Sequence, residues 1–127
     1  MKFLLDTHVL IWSLQDNHRL SSSARAIIGD TNNIIYVSSA TIWEIAIKTS
    51  LKKLNLSVDE ILQTLQHSEY TQLPITFSHA AKVAELPYHH NDPFDRILIA
   101  QALTEELTLI TCDDKITQYE LSLLLIH

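Results

Sequence analysis

The chain has 127 residues, the length of one domain, and at this size it buries enough surface to fold without a disulfide or metal staple: roughly 6,900 Å² stays exposed against about 21,000 Å² unfolded. Its 46% hydrophobic and 19% charged content sets it apart from disordered chains. Fifteen acids against nine Lys and Arg give a formal charge of −6, which argues against a broad basic surface for nucleic acid. The one glycine excludes Gly-rich phosphate-binding loops, and the one cysteine excludes a disulfide framework or a multi-cysteine metal site.

In chain order, apolar runs alternate with helical patterns. Phe3-Leu4-Leu5 is a short apolar run ending at Asp6. Helices are expected over 8–15 and 21–30, split by Asp16-Asn17-His18. Ile34 to Val37 forms a second run, followed by a helix over 40–50 with Ser39 as its N-cap. Ser57 is expected to cap a helix over 58–67 that carries Val58, Ile61, Leu62 and Leu65 on one face. A further helix is expected over 78–85 with Ser78 as its cap, and another over 93–106 with Pro93 in the first turn. Leu107 to Ile110 and Leu123 to Ile126 complete the apolar runs. Short runs rich in branched residues read as strands covered on both faces. The expectation is therefore an α/β fold in one domain, 1–127: a three-layer α/β/α sandwich with a mainly parallel central sheet. The helix over 93–106 is apolar nearly all round and belongs in its core. No apolar stretch is long enough to cross a membrane, and the first six residues lack the apolar length of a signal peptide. The expected setting is the cytoplasm, without membrane contact.

In open α/β sheets, sites form beyond the carboxyl ends of the strands, so the acids near those ends carry the functional argument. Each has an ordinary structural reading. Asp6, Asp92 and Asp113 could cap helices. Glu44 could pair with Lys48 at i,i+4. Asp95 could sit in a first turn, where the helix dipole favours a carboxylate. Together those readings weaken. Asp6 and Asp113 follow parallel strands, Glu44 lies about a helical turn beyond one, and Asp95 opens the buried helix, so all four can face one edge. Gathered carboxylates repel and raise one another's pKa. A hard divalent cation offsets that cost; Mg²⁺ or Mn²⁺ suits an oxygen donor set better than zinc does. Such an ion can activate water and stabilise charge on a phosphodiester. Asp6→Asn or Asp95→Asn is then expected to raise the Tm of the metal-free protein or leave it unchanged.

Leu5-Asp6-Thr7-His8-Val9-Leu10, Ser38 to Lys48 with Glu44, Asp92-Pro93-Phe94-Asp95-Arg96 leading into Leu98-Ile99-Ala100-Gln101-Ala102, and Thr111-Cys112-Asp113 together resemble a PIN domain. More narrowly, the chain resembles the VapC toxins of type II toxin–antitoxin pairs. The resemblance spans nearly the whole chain, and the ordered set of motifs is what makes it specific. It implies an α/β/α sandwich and a Mg²⁺- or Mn²⁺-dependent ribonuclease. Its acidic quartet would fall on Asp6, Glu44, Asp95 and Asp113, as both metal ligands and catalytic groups. Thr7 and Thr111 would be supporting polar residues. The resemblance also implies an RNA substrate, a homodimer, and inhibition by a small antitoxin whose C-terminal segment enters the groove. Position 8 is His where many relatives carry Asn. Asp92 is an additional acid, a cap or a neighbour of the ligands. Asp114 competes with Asp113, which is preferred because it follows Thr111 at the motif's spacing.

Other residues have two readings each. Lys48, Lys52 and Lys53 could contact phosphates or simply end a helix. Arg96 could contact RNA phosphates, bind an antitoxin carboxylate or pair with Asp92. His89 and His90 could touch substrate or metal, or be ordinary loop residues. Trp12 and Trp43 are expected in the core or at a dimer interface, and Cys112 as a small buried residue. Two other functions compete with the nuclease. One is an aspartyl-phosphate phosphatase or phosphoacceptor domain using Asp6, which lacks the second acid two residues on, where His8 stands. The other is a non-catalytic protein-binding PIN module.

Overall fold

The computed structural model describes residues 1–126. Strand β1 (Lys2–Leu5) leads into α1 (Thr7–Leu14) and α2 (Ser22–Gly29), then β2 (Ile34–Ser38), α3 (Ser39–Ser50) and α4 (Val58–Gln66). Strand β3 (Thr71–Leu73), α5 (Phe77–Lys82) and a 3-10 turn (Val83–Glu85) precede α6 (Pro93–Glu105). Strand β4 (Thr108–Thr111), a 3-10 segment (Asp114–Gln118) and β5 (Leu123–Leu125) complete the described chain. The strands form one sheet in the order β3-β2-β1-β4-β5, with every pairing parallel.

The period of two along the strands divides the core. Phe3, Leu5, Ile35, Val37 and Ile110 pack on one face with Val9, Leu10, Ala24 and Ile61 from α1, α2 and α4. Leu4, Leu73 and Leu109 pack on the other with Leu98, Ile99 and Ala102 of α6. Two apolar clusters with a sheet between them make the expected α/β/α sandwich, and α6 is buried against the sheet as expected.

The differences from the sequence reading are local. Strand β3 was not expected: Thr71 and Gln72 are exposed and only Leu73 is buried, so an edge strand of three residues leaves no apolar run to read. The 3-10 segment after β4 was also missed. Ser38, not Ser39, caps α3 by accepting from Ala40 N–H, and Thr76, not Ser78, caps α5 in a reciprocal box with His79. Glycine is nearly absent, so left-handed backbone falls on Asp16, Lys52 and Glu106, the last ending α6 at φ 56°.

The strand order places the functional crevice. From β1 the chain runs outward through β2 to β3, then returns across α5 and α6 to β4 on the opposite side of β1. After β1 the chain turns to the face of Val9 and Leu10; after β4 it turns to the face of Ile116 and Tyr119. Connections leaving neighbouring strands on opposite faces open a cleft between their carboxyl ends. Asp6 and Asp113 stand at that cleft.

Candidate metal centre

Asp6 extends the β1–β4 ladder, its N–H donating to the Ile110 carbonyl at 3.1 Å. Its carboxylate serves two tasks. Oδ1 caps α1 by accepting from Val9 N–H at 2.8 Å, and Oδ2 accepts from the Thr111 hydroxyl at 2.5 Å. The residue is 3% exposed, and burial raises its pKa above the ordinary carboxylate value even though both hydrogen bonds pull the other way. The cap reading of Asp6 is therefore realised through Oδ1, while Oδ2 is held by Thr111.

Glu44 is held by the core of α3. Its Oε1 accepts from the Thr7 hydroxyl at 2.6 Å and its Oε2 from Lys48 Nζ at 2.7 Å. The i,i+4 pair with Lys48 is thus present, but Thr7 ties the same carboxylate to the end of β1. Asp113 divides its oxygens too: Oδ1 caps the 3-10 segment through Lys115 N–H at 2.9 Å, and Oδ2 meets His90 Nε2 at 2.8 Å. Burial would push Asp113 up, but the Lys115 N–H and His90 hold it below the ordinary value. Thr111 joins the two strand-end acids, since its hydroxyl also accepts from Asp113 N–H at 3.0 Å.

Asp92 is the N-cap of α6, its Oδ1 accepting from Phe94 and Asp95 N–H. That leaves Asp95, like Glu44, without a capping task. Burial first, and then the charge of Asp92, push its pKa up to about 7, with Asp6 and Glu44 adding to the rise and His90 opposing it. Asp6, Glu44 and Asp92 all act on Asp95 because the fold brings them near it. Cys112 lies in the same negative field. Burial and the charges of Asp6, Asp113 and Asp95 raise its thiol to about 11, so it is neutral at physiological pH and takes no part as a thiolate.

The tightest gathering of ligand-type atoms among the described residues comes from His90, Asp95 and Asp113, within 4.8 Å of one another. His90 Nε2 lies 3.0 Å from Asp95 Oδ2 as well as 2.8 Å from Asp113 Oδ2. The sequence offered His90 only as one of two loop histidines. The signal now visible is its place two residues before the cap of α6, where its Nδ1 accepts from Asp92 N–H at 3.1 Å.

Arg96 corrects the sequence reading. It is 4% exposed and forms no ion pair with an acid among the described residues. Its guanidinium donates to the carbonyls of Val83, Leu86, Pro87 and His90 and to the Tyr119 hydroxyl, with the exposed Tyr88 ring stacked 4.1 Å from it. It neither pairs with Asp92 nor presents a charge to phosphate; it fastens the loop that carries His90. Trp43 is 59% exposed and meets Phe94 edge-on at 5.1 Å, so it is not a core residue. Trp12 packs partly buried against the core under α1.

Carboxylates gathered at one cleft, with the Lys48 ammonium on Glu44, fit a hard divalent cation. Among the described residues Asp95 and Asp113 bring carboxylate oxygens together beside His90, and Asp6 and Glu44 stand near enough to act on the charge of Asp95. Beside them a groove of about 270 Å³ runs between Thr7, His8, Ile11 and Trp12 on α1, Lys48 on α3, and Leu54 and Leu56 on the α3–α4 connection.

A parallel 3-2-1-4-5 sheet with carboxylates at the β1/β4 switch point defines the class: the PIN domain family pattern matches residues 3–121, and the chain belongs to that family. Among individual relatives, Ribonuclease VapC22 of Mycobacterium tuberculosis is 28% identical over 118 residues, which cover 91% of this chain and 90% of that protein. The fold is also that of VapBC2 from Rickettsia felis, a crystal structure with a promoter DNA fragment, at TM-score 0.74 and 17% identity over 100% of both chains. FitAcB from Neisseria gonorrhoeae superimposes with TM-score 0.68 at 22% identity, over 95% of each chain.

Proposed function

We propose that this chain is a Mg²⁺- or Mn²⁺-dependent endoribonuclease and the toxin of a type II toxin–antitoxin pair. The observation that carries the reading is the carboxylate group at the switch point, with Asp95 pushed to about 7 by burial and by its neighbours. Such an arrangement destabilises the metal-free fold and becomes favourable when a cation is shared. A divalent cation bound there supplies activation of water and charge stabilisation on a scissile phosphodiester.

The chain's own groups do the rest. The Thr111 hydroxyl orients the Asp6 carboxylate and the Thr7 hydroxyl orients that of Glu44. Neither threonine carries charge, so each orients its carboxylate without neutralising it. Lys48 stands half-buried at the rim with its ammonium on Glu44, placed to meet a phosphate entering along the α1 groove. Asp6 lacks the phosphoacceptor pattern, since the residue two further on is His8 and not a second acid.

The relatives support an RNA substrate and a small antitoxin as partners; a second copy of the chain is proposed with them on the resemblance of the sequence alone. The α1 groove, apolar along Ile11, Trp12, Leu54 and Leu56 with Lys48 at its rim, suits an antitoxin segment that carries an acid and apolar anchors. No described helix is long and apolar enough to cross a membrane, consistent with a cytoplasmic toxin. Purified protein incubated with RNA and Mg²⁺ or Mn²⁺ is expected to cleave it, and excess chelator to stop it. Undiminished cleavage in chelator overturns the metal mechanism. Metal binding without cleavage of any RNA in total cellular extract favours a non-catalytic module.

A further inference from the structure

We propose that His90 is a positioning residue of the metal centre: its Nε2–H bridges Asp95 and Asp113, and it is not a metal ligand. The inference rests on the metal-dependent reading above. It is carried by the two ring nitrogens. Nδ1 lies 3.1 Å from the backbone nitrogen of Asp92, a group that can only donate. Nδ1 therefore holds the lone pair, and the proton sits on Nε2. Nε2 in turn lies 2.8 Å from Asp113 Oδ2 and 3.0 Å from Asp95 Oδ2. A protonated ring nitrogen aimed at two carboxylate oxygens is a donor, and it has no lone pair to offer a cation.

The ring is not free to exchange these roles. Its backbone N–H donates to the Tyr119 hydroxyl at 3.1 Å, and its carbonyl accepts from Arg96. Tyr119 donates in turn to the Pro87 carbonyl at 2.7 Å. Arg96 from α6 and Tyr119 beyond the 3-10 segment thus clamp the loop on either side of His90, and the ring is 9% exposed. Making His90 a ligand would move its proton to Nδ1 and leave the Asp92 N–H, at the cap of α6, without an acceptor. The fixed donor instead ties together two acids from separate elements, Asp95 on α6 and Asp113 after β4, which would otherwise repel each other.

The test uses Mn²⁺ alone, with the full chain. Titration followed by electron paramagnetic resonance gives the affinity, and spin-echo modulation reports any nitrogen bound to the ion. The wild type is expected to bind Mn²⁺ without nitrogen coupling from His90. His90→Ala is expected to weaken binding by about 10–100-fold, the usual effect of losing a partner that orients a ligand. His90→Gln, which returns an N–H near the position of Nε2, is expected to recover most of the affinity. His90→Asn, which returns only an acceptor near Nδ1, is expected not to. Far-UV circular dichroism and Tm confirm that each variant folds. A nitrogen coupling in the wild type that vanishes in His90→Ala overturns the proposal. So does Mn²⁺ binding that His90→Ala leaves unchanged or tightens. A wild-type chain that binds no Mn²⁺ overturns the metal reading itself and this inference with it; Mn²⁺ binding with histidine coupling overturns this inference alone.

Discussion

Asp6 and Glu44 form one pair, Asp95 and Asp113 another, and the four copies of one chemical group are held in two different ways. The first pair is almost fully buried, and each member takes a neutral hydroxyl, from Thr111 of β4 or from Thr7 at the start of α1, with the Lys48 ammonium added on Glu44. The second pair is more exposed, with side chains at 22% and 34%, and shares one imidazole N–H from a loop. The first pair stands on the end of β1 and on α3, both packed into the core. The second depends on residues 86–92 keeping their path, and that path depends on Arg96 and Tyr119. Burial makes the first pair rigid without any further device, whereas the second needs a buried cation some distance away to hold its donor in place.

The sharpest way to separate the pairs is by activity. Asp6→Asn is expected to lower metal-dependent RNA cleavage by roughly 10²–10³-fold, as several kcal/mol of charge stabilisation are lost at about 1.4 kcal/mol per factor of ten. Asp113→Asn, in the more exposed pair, is expected to lose less; equal losses in single-turnover assays would erase the distinction. Arg96→Met tests the dependence of the second pair on the loop. Five acceptors lose a buried donor, so urea denaturation is expected to show a loss of about 3–5 kcal/mol, and a change within 1 kcal/mol would mean the loop holds itself.

Thr111→Val keeps the shape but leaves Asp6 Oδ2 without its donor and Asp113 N–H without its acceptor. About 1–3 kcal/mol of stability should go, measurable as a lower denaturation midpoint at unchanged slope.

The smallest expected effect is a pH slope. Asp95 is raised to about 7 from an ordinary 3.8, so between those values the folded chain keeps a proton that the unfolded chain has released. The metal-free fold is favoured at low pH and loses that advantage as pH rises through 7. Asp6 is raised too and acts in the same direction, while Asp113, held below its ordinary value, loses its contribution only as pH falls through that lowered value. In chelator, Asp95→Asn is therefore expected to raise the Tm at pH 8 and to change it little at pH 4. A lower Tm at pH 8 would show that the contact with His90 outweighs the repulsion.

The residues differ in how much of this could be read from the chain. The acids Asp6 and Asp113 were legible because strand ends are marked by the close of apolar runs, and parallel strands end on one edge. Their capping tasks were equally legible, and the structure shows them on Oδ1 of each, with Oδ2 taking Thr111 in Asp6 and His90 in Asp113. Arg96 was misread from its neighbour Asp95, since adjacency in sequence does not tell which way a helix turns a side chain. His90 was underweighted because its partners lie two, five and 23 residues away and meet only when α6 and β4 close on the same loop.

By itself the sequence determined the strand–helix alternation, the two-sided burial of the sheet and the acids available at its carboxyl edge. Those follow from local periodicity and from the run of apolar residues, which any stretch of chain carries within itself. Only the tertiary structure decided that β4 lies beside β1, that Arg96 serves a loop and not a phosphate, and that His90 stands between Asp95 and Asp113. Each of these is a contact across the fold, and its energy comes from desolvation and hydrogen bonds that exist only once distant segments are packed together.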